Sequence, residues 1–444
     1  MSTNVQPTTA PETRLAWLLA GPPLERATRV LTVLTGFSIP LSTSFSEITT
    51  GLFMLCWVSS GNLKAKWNVI RGNVVALLSL AMFGLLLAGM TWSGESWSAA
   101  GRCVLKYREF VYLPMFLVVF RDARLRKISI SAYMLAAIIL QGLTYYEKLT
   151  GADFGIASTT VDYVVAKDRI IHSLMMAFLV YLTAVRFAET IKTPAGSVRL
   201  KRWLYAGIIA LSLYNILGMV QGRTGYVLLA ALSSLFLIER MGRRGVAFAA
   251  VLLGLAAWSG LNFSSMISER VGLTVLQLEN QFGTERKHSP DPRMEFFANT
   301  AQLIRRHPFM GTGTGSFRSE YARLVAGTDD KATSDPHNEY LHLATQLGIP
   351  GAAFFALLLG VQWFAAARLR PPECHVGRGV VLTIAVGSLF NSLILSITGG
   401  LIYSYFSAIA FAELSQPTLP ASQASPSLSK LESSLEQSPV AKAA

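Results

Sequence analysis

Long runs of apolar residues, separated by short polar stretches, dominate the chain. Asn73 to Trp92 reads without a single charged side chain, about the 20 residues a helix needs to cross the hydrocarbon core. The runs are continuous rather than alternating. In lipid only helices and closed barrels satisfy every backbone group, so the pattern predicts helices. Twelve spans are expected: Arg29–Phe45, Ile48–Ser60, Asn73–Trp92, Glu109–Phe120, Ile128–Leu149, Ile170–Glu189, Trp203–Val220, Gly225–Glu239, Val246–Phe263, Gly351–Ala367, Gly379–Thr398 and Leu401–Leu414. The fold class is thus an all-α polytopic membrane protein.

The polar stretches alternate in character. Basic residues follow the second span (Lys64, Lys66, Arg71), the fourth (Arg121, Arg124, Arg126, Lys127), the sixth (Arg186, Lys192, Arg199, Lys201, Arg202), the eighth (Arg240, Arg243, Arg244) and the tenth (Arg368, Arg370, Arg378). The positive-inside rule places these loops, and with them both termini, in the cytoplasm. The first 28 residues form a polar, Pro-containing segment without the apolar core of a cleavable signal. Residues 29–263 hold spans one to nine, 264–336 a long outer loop, 337–414 a motif-bearing helix with spans ten to twelve, and 415–444 a tail rich in Ser, Pro, Ala and Gln that is expected to be disordered.

Composition agrees: 52% of the 444 residues are hydrophobic and 15% charged. The net charge of +13 sits mostly in the short loops, which argues for contact with membrane lipids and against nucleic acid. Cys56, Cys103 and Cys374 are scattered and form neither a disulfide framework nor a CxxC metal site.

Candidate chemistry gathers in the outer loops. In the long loop, Met294, Phe297, Ala301 and Ile304 recur at helical spacing over Pro292–His307. A Gly-rich turn, His307 to Gly315, follows, and a second short helix is expected over Ser316–Val325. The Gly-rich turn lacks the Gly-Lys-Ser/Thr of a phosphate-binding P-loop. In Asp335-Pro336-His337-Asn338, Asp335 is expected to cap a helix with Pro336 first and His337 in its opening turn. That helix is expected to run to about Leu347 and break at Gly348–Gly351. A neutral imidazole at the positive end of a helix dipole suits a general base; equally, His337 is simply a polar residue at a helix start.

Arg223 lies in a short outer turn, Gln221–Gly225, where the positive-inside rule expects few cations. Arg293 opens the amphipathic loop helix. Two guanidinium forks suit phosphate oxygens, although snorkelling to lipid and a solvated first turn explain them too. Arg102, Lys106 and Arg108 form a further basic cluster before the fourth span and, with Asn338, are supporting candidates. No acidic pair stands out as a metal clamp, and no metal or cofactor is expected.

Three motifs together carry a resemblance: the Gln-Gly-Arg-Thr-Gly turn, the His307-Pro-Phe-Met-Gly-Thr-Gly stretch after an arginine-bearing helix, and His337-Asn338 followed by Gly348 and Gly351. Over about Trp203 to Gly351 the chain resembles the O-antigen ligase and polymerase superfamily. That pattern often has Trp where Phe297 stands here. The resemblance implies a metal-independent, inverting glycosyltransferase of GT-C architecture in the bacterial inner membrane, with its active site facing the periplasm. Its partners would be an undecaprenyl-pyrophosphate-linked O-antigen donor and a lipid A-core acceptor, in lipopolysaccharide biosynthesis. By the same resemblance His337 is the general base, and Arg223 and Arg293 hold the donor pyrophosphate. One dominant outer loop favours a ligase over a polymerase or a protein O-oligosaccharyltransferase. A transporter or flippase would need charges or broken helices inside its spans, and few charges lie there.

Overall fold

The computed structural model describes residues 17–152, 154, 163–191, 193–220, 222–263 and 292–415. Most of the N-terminal segment expected before residue 17, the loop positions 264–291, Gln221 and the tail from 416 lie outside the described residues. All regular elements among the described residues are helical. Six helices are long and apolar enough to cross a membrane, which makes this a polytopic membrane protein. The twelve expected spans each coincide with a helix, though not always along their whole length.

The chain opens with α1 (Pro23–Leu41) and α2 (Thr43–Ser59). They pack through a stripe of buried hydroxyls, among them Thr32, Thr35, Ser38 and Thr49. Ser38 and Thr49 share a hydrogen bond of 3.2 Å across the pair. Small polar residues let helices approach closely where lipid offers no hydrophobic drive for association. A short α3 (Leu63–Arg71) leads to α4 (Val74–Gly89). Asn73 caps α4 by accepting from the amides of Val75 and Ala76, and its Nδ2 donates to Phe411 O at 2.8 Å. One residue thus starts a helix and ties it to the far end of the chain.

After α5 (Trp97–Leu105) and α6 (Glu109–Val119) come α7 (Ala123–Thr150), α8 (Arg169–Ile191), α9 (Ala195–Tyr214), α10 (Arg223–Met241) and α11 (Arg243–Phe263). The outer segment contributes α12 (Pro292–Arg306) and α13 (Phe317–Leu324), close to the expected bounds. The bundle closes with α14 (Glu339–Ala366), α15 (Glu373–Gly387) and α16 (Ile397–Phe411). All of α16 from Thr398 to Phe411 is buried. A helix that is apolar on every side belongs in the middle, and aromatic rings surround it: Phe116 and Phe120 stand edge-on to Tyr405, and Tyr133 and Phe178 to Phe406.

The eleventh expected span, Gly379–Thr398, needs correction. Helix α15 stops at Gly387, and residues 388–396 leave the helix before α16 begins. Broken backbone at membrane depth is tolerated only when protein satisfies its polar groups, and here it does. The Ser388 carbonyl accepts the Glu339 amide at 2.9 Å, and the Ile394 amide donates to the Glu339 carboxylate at 2.9 Å.

The break expected at Gly348 is a kink inside α14, with φ 73° and ψ 179°. It orphans the last carbonyls of the first half-helix. The Gly-rich turn supplies their donors: the Thr312 amide bonds Thr345 O at 2.8 Å and the Gly313 amide bonds Gln346 O at 2.9 Å. In return Ile349 N–H bonds Pro308 O at 2.7 Å, and Thr314 N–H bonds Gly89 O at 2.9 Å. The turn is therefore a plug for a broken helix, and it fastens the outer segment to α4 and α14.

Candidate active site

His337 is not in the first turn of a helix. Its φ is +55°, and Asn338, not Asp335, caps α14 by accepting the Leu341 amide at 3.0 Å. Asp335 instead folds the chain back on itself, its Oδ1 accepting the His337 amide at 2.9 Å. Asx turns of this kind compete with helix geometry, which is why the helix starts three residues later than expected. The same Oδ1 accepts from Ser392 Oγ at 2.6 Å, and Asn338 Nδ2 donates to Leu389 O at 3.1 Å. The unwound segment between α15 and α16 therefore fixes both ends of the His337 turn.

The His337 side chain is 35% exposed, with Nδ1 buried and 3.8 Å from Asp335 Oδ2. That orientation leaves Nε2 as the ring nitrogen open to a substrate. Phe296 of α12 packs over the imidazole with ring centroids 6.0 Å apart. Arg293 stands one helical turn before Phe296, and residues three apart share a face. Helix α12 thus brings Arg293 to the side that meets His337.

Arg223 is the first residue of α10 rather than part of a loop. A π-helical turn, Asn215–Met219, precedes it. Buried Asn215 bonds His172 Nε2 at 2.9 Å and Thr144 Oγ1 at 3.0 Å, locking the end of α9 against α7 and α8. The start of α10 then packs on the first turns of α8: a Cβ at Gly222 would lie 3.1 Å from Ser173 Oγ, and one at Gly225 would collide with Ser173 Cβ. The next residue of α8, Leu174, reaches Gly387 at the end of α15, beside the Ser388 carbonyl that holds Glu339. The start of α10 at Arg223 and the His337 turn just ahead of α14 therefore lie at the same end of the bundle.

The basic cluster divides. Arg102 bonds its own helix at Ser98 Oγ, 2.7 Å away. Arg108 is engaged by Glu47 in an ion pair and by Leu105 O at 2.9 Å. Lys106 is exposed and close enough to Cys103 to pull its thiol down against burial.

Residues 206–356 match the O-antigen ligase family. Arg223, Arg293, His337 and Asn338 all fall inside that stretch, whereas Arg102, Lys106 and Arg108 fall outside it. No curated protein matches the chain. The family match supports a ligase- or polymerase-type function in O-antigen processing, performed by a glycosyltransferase-like membrane enzyme; a lipid-linked sugar donor and a lipid A-core acceptor are what that family implies in general.

Two residues beside His337 had no place in the expected site. His342 is buried, stacks on Phe317 at 5.0 Å, and points Nδ1 to within 4.0 Å of Asp335 Oδ1. Glu339 is fully buried and accepts from Tyr107 Oη at 2.9 Å. Burial and this carboxylate hold the Tyr107 hydroxyl well above its ordinary range. Sequence spacing gave a cue for His342 alone, five residues past His337, whereas Glu339 reads as an ordinary first-turn acid.

Proposed function

We propose that the chain is an O-antigen ligase, a metal-independent, inverting GT-C-type glycosyltransferase. It moves O-antigen from undecaprenyl pyrophosphate to a sugar hydroxyl of lipid A-core. Twelve spans cross the bacterial inner membrane, both termini are cytoplasmic, and the site faces the periplasm. The observation that carries the reading is the His337 turn, with Nδ1 turned inward toward Asp335 and Nε2 left open, beneath the helix that bears Arg293.

In this mechanism His337 Nε2 takes the proton of the acceptor hydroxyl as its oxygen attacks the anomeric carbon. The bond from that carbon to the pyrophosphate oxygen breaks on the opposite face, which inverts the stereochemistry. Asp335 steadies the Nδ1–H form of the ring; its 3.8 Å separation is of the sort that tightens when substrate binds. Arg223 and Arg293 take up the negative charge that grows on the leaving pyrophosphate.

The test uses the purified full chain in liposomes with lipid-linked O-antigen and lipid A-core. Product is expected in EDTA and without nucleotide. The His337→Ala variant should lose about 10²–10⁴-fold in rate, the usual worth of a general base. Product that disappears in EDTA overturns the metal-free mechanism, and wild-type rates in H337A remove His337 from the chemistry. Transfer to a second glycan chain instead of lipid A-core would make the enzyme a polymerase.

A further inference from the structure

At the same end of the bundle as His337, the first turns of three helices meet around a cavity of about 400 Å³. Thr43 comes from α2, Lys167 and Asp168 from the approach to α8, and Ser396, Ile397 and Thr398 from the start of α16. Each helix start directs the positive end of its dipole toward this space. Asp168, the carboxylate that lines it, is already committed: its Oδ1 accepts the amides of Ile170 and Ile171 at 2.9 and 3.1 Å. Ser396 likewise spends its hydroxyl on the Gly399 amide at 3.1 Å.

Lys167 is the unusual member. It is 95% buried, at 5% relative exposure, and its Nζ donates to Thr398 Oγ1 at 3.0 Å. An ammonium carries three protons, so two are without an acceptor among the described residues. A buried cation is costly unless paired. Burial lowers the Lys167 ammonium to about 8, against the upward pull of Asp168, so most of it stays charged at neutral pH. A cation with spare donors, three converging dipoles and an open volume all require one complement, a compact anion.

We propose that this cavity is a phosphate subsite that takes a phosphate group of a lipid headgroup, with Lys167 as its principal donor and Thr398 holding the ammonium in place. Two lipids offer that chemistry. One is a polyprenyl pyrophosphate, which would deepen the reading of the chain as a transferase with a lipid-linked donor. The other is an anionic phospholipid of the bilayer, which is independent of that reading. The unwound segment that anchors Asp335 at Ser392 continues directly to Thr398, so one stretch of chain borders both the cavity and the His337 turn.

The experiment uses the full chain in nanodiscs. One arm titrates farnesyl pyrophosphate, a soluble polyprenyl pyrophosphate, and the other measures retention of phosphatidylglycerol by native mass spectrometry. Lys167→Met is expected to weaken one of the two about 10- to 100-fold, the range of a lost charge-assisted hydrogen bond, while Lys167→Arg keeps most binding. Loss in the first arm names the pyrophosphate lipid as the occupant, and loss in the second names the phospholipid. Wild-type binding by K167M in both arms overturns the proposal. Should K167M not fold, Thr398→Val decides with the same readouts: weaker binding supports the subsite and unchanged binding overturns it. Neither arm measures transfer, so a failed transferase reading leaves the binding result legible.

Discussion

Ser392 donates to Asp335 Oδ1 at 2.6 Å, and the same oxygen accepts the backbone amide of His337 at 2.9 Å. A loop between two helices 57 residues further along the chain therefore sets where the imidazole stands. Ser392→Ala removes one of these two bonds without touching substrate. The rate of transfer should fall about 10- to 100-fold, the effect of a misplacement of roughly 1 Å at a reacting group. The Michaelis constant for donor should barely move. Asp335→Asn keeps an acceptor for both bonds but loses the charge beside Nδ1, so its rate should fall further while its melting temperature stays close to wild type. Wild-type kcat in both variants would show that the turn needs no such support.

Glu339 carries a second expected effect. Its carboxylate is buried between the Tyr107 hydroxyl and the Ile394 amide, each 2.9 Å away. Glu339→Ala strands both donors, and an unsatisfied buried group costs about 1–3 kcal/mol. Thermal unfolding in detergent should show that loss together with low activity. Glu339→Gln retains one acceptor and should keep more of both. Equal behaviour of the two variants would mean that the carboxylate does not organise the 388–396 segment.

The helices were legible because apolar length and loop charge report on lipid directly, and each expected span lands on one. The family resemblance was legible for a different reason: the motifs around Arg223, Arg293 and His337 fall inside the stretch that matches at 206–356, while the roles of these residues rest on the proposed function. What escaped the sequence was the departure from regularity. Ser388, Asn391 and Ser392 interrupt an otherwise apolar run, and the run was long enough to read as one helix. Lys167 had no motif around it, and its buried place beside the cavity arises only when α2, α8 and α16 start beside one another. His337 was placed one turn too far into its helix because an Asp-Pro pair fits both a capped helix and an Asx turn.

Gly348 sits at φ 73° and ψ 179°, and a Cβ there would come within 2.4 Å of the Phe309 carbonyl carbon and oxygen. Neither atom can move without undoing the Pro308–Ile349 hydrogen bond of 2.7 Å. Gly348→Ala should therefore yield little folded protein after purification, judged by gel-filtration recovery and melting temperature. Gly360→Ala in the same helix meets nothing within 4 Å and should be neutral or slightly stabilising, since alanine is the better helix former. A well-folded G348A would mean that the kink is not enforced by the plug.

The plug can also be probed chemically through Cys103. Its Sγ–H donates to Gln346 Oε1 at 3.3 Å, and the Gly315 amide donates to the same oxygen at 2.6 Å. Burial, only partly offset by Lys106, pushes the thiol up to about 11 from its ordinary 9.0. The folded state thus favours the neutral thiol. That contribution is complete below pH 9 and fades as the pH rises through about 11. The thiolate fraction at pH 8 is about a hundredfold smaller than for a free cysteine, and the thiolate is the reactive form. Iodoacetamide should therefore modify Cys103 slowly at pH 8, speed up steeply toward pH 11, and reach the rate of an ordinary cysteine once detergent melting opens the fold. Gln346→Leu removes the acceptor that both the thiol and the Gly-rich turn share. It should raise the labelling rate at pH 8 by loosening the turn over Cys103. Rapid labelling of the folded wild type at pH 8 would show that the Gly311–Gly315 turn does not seal this position.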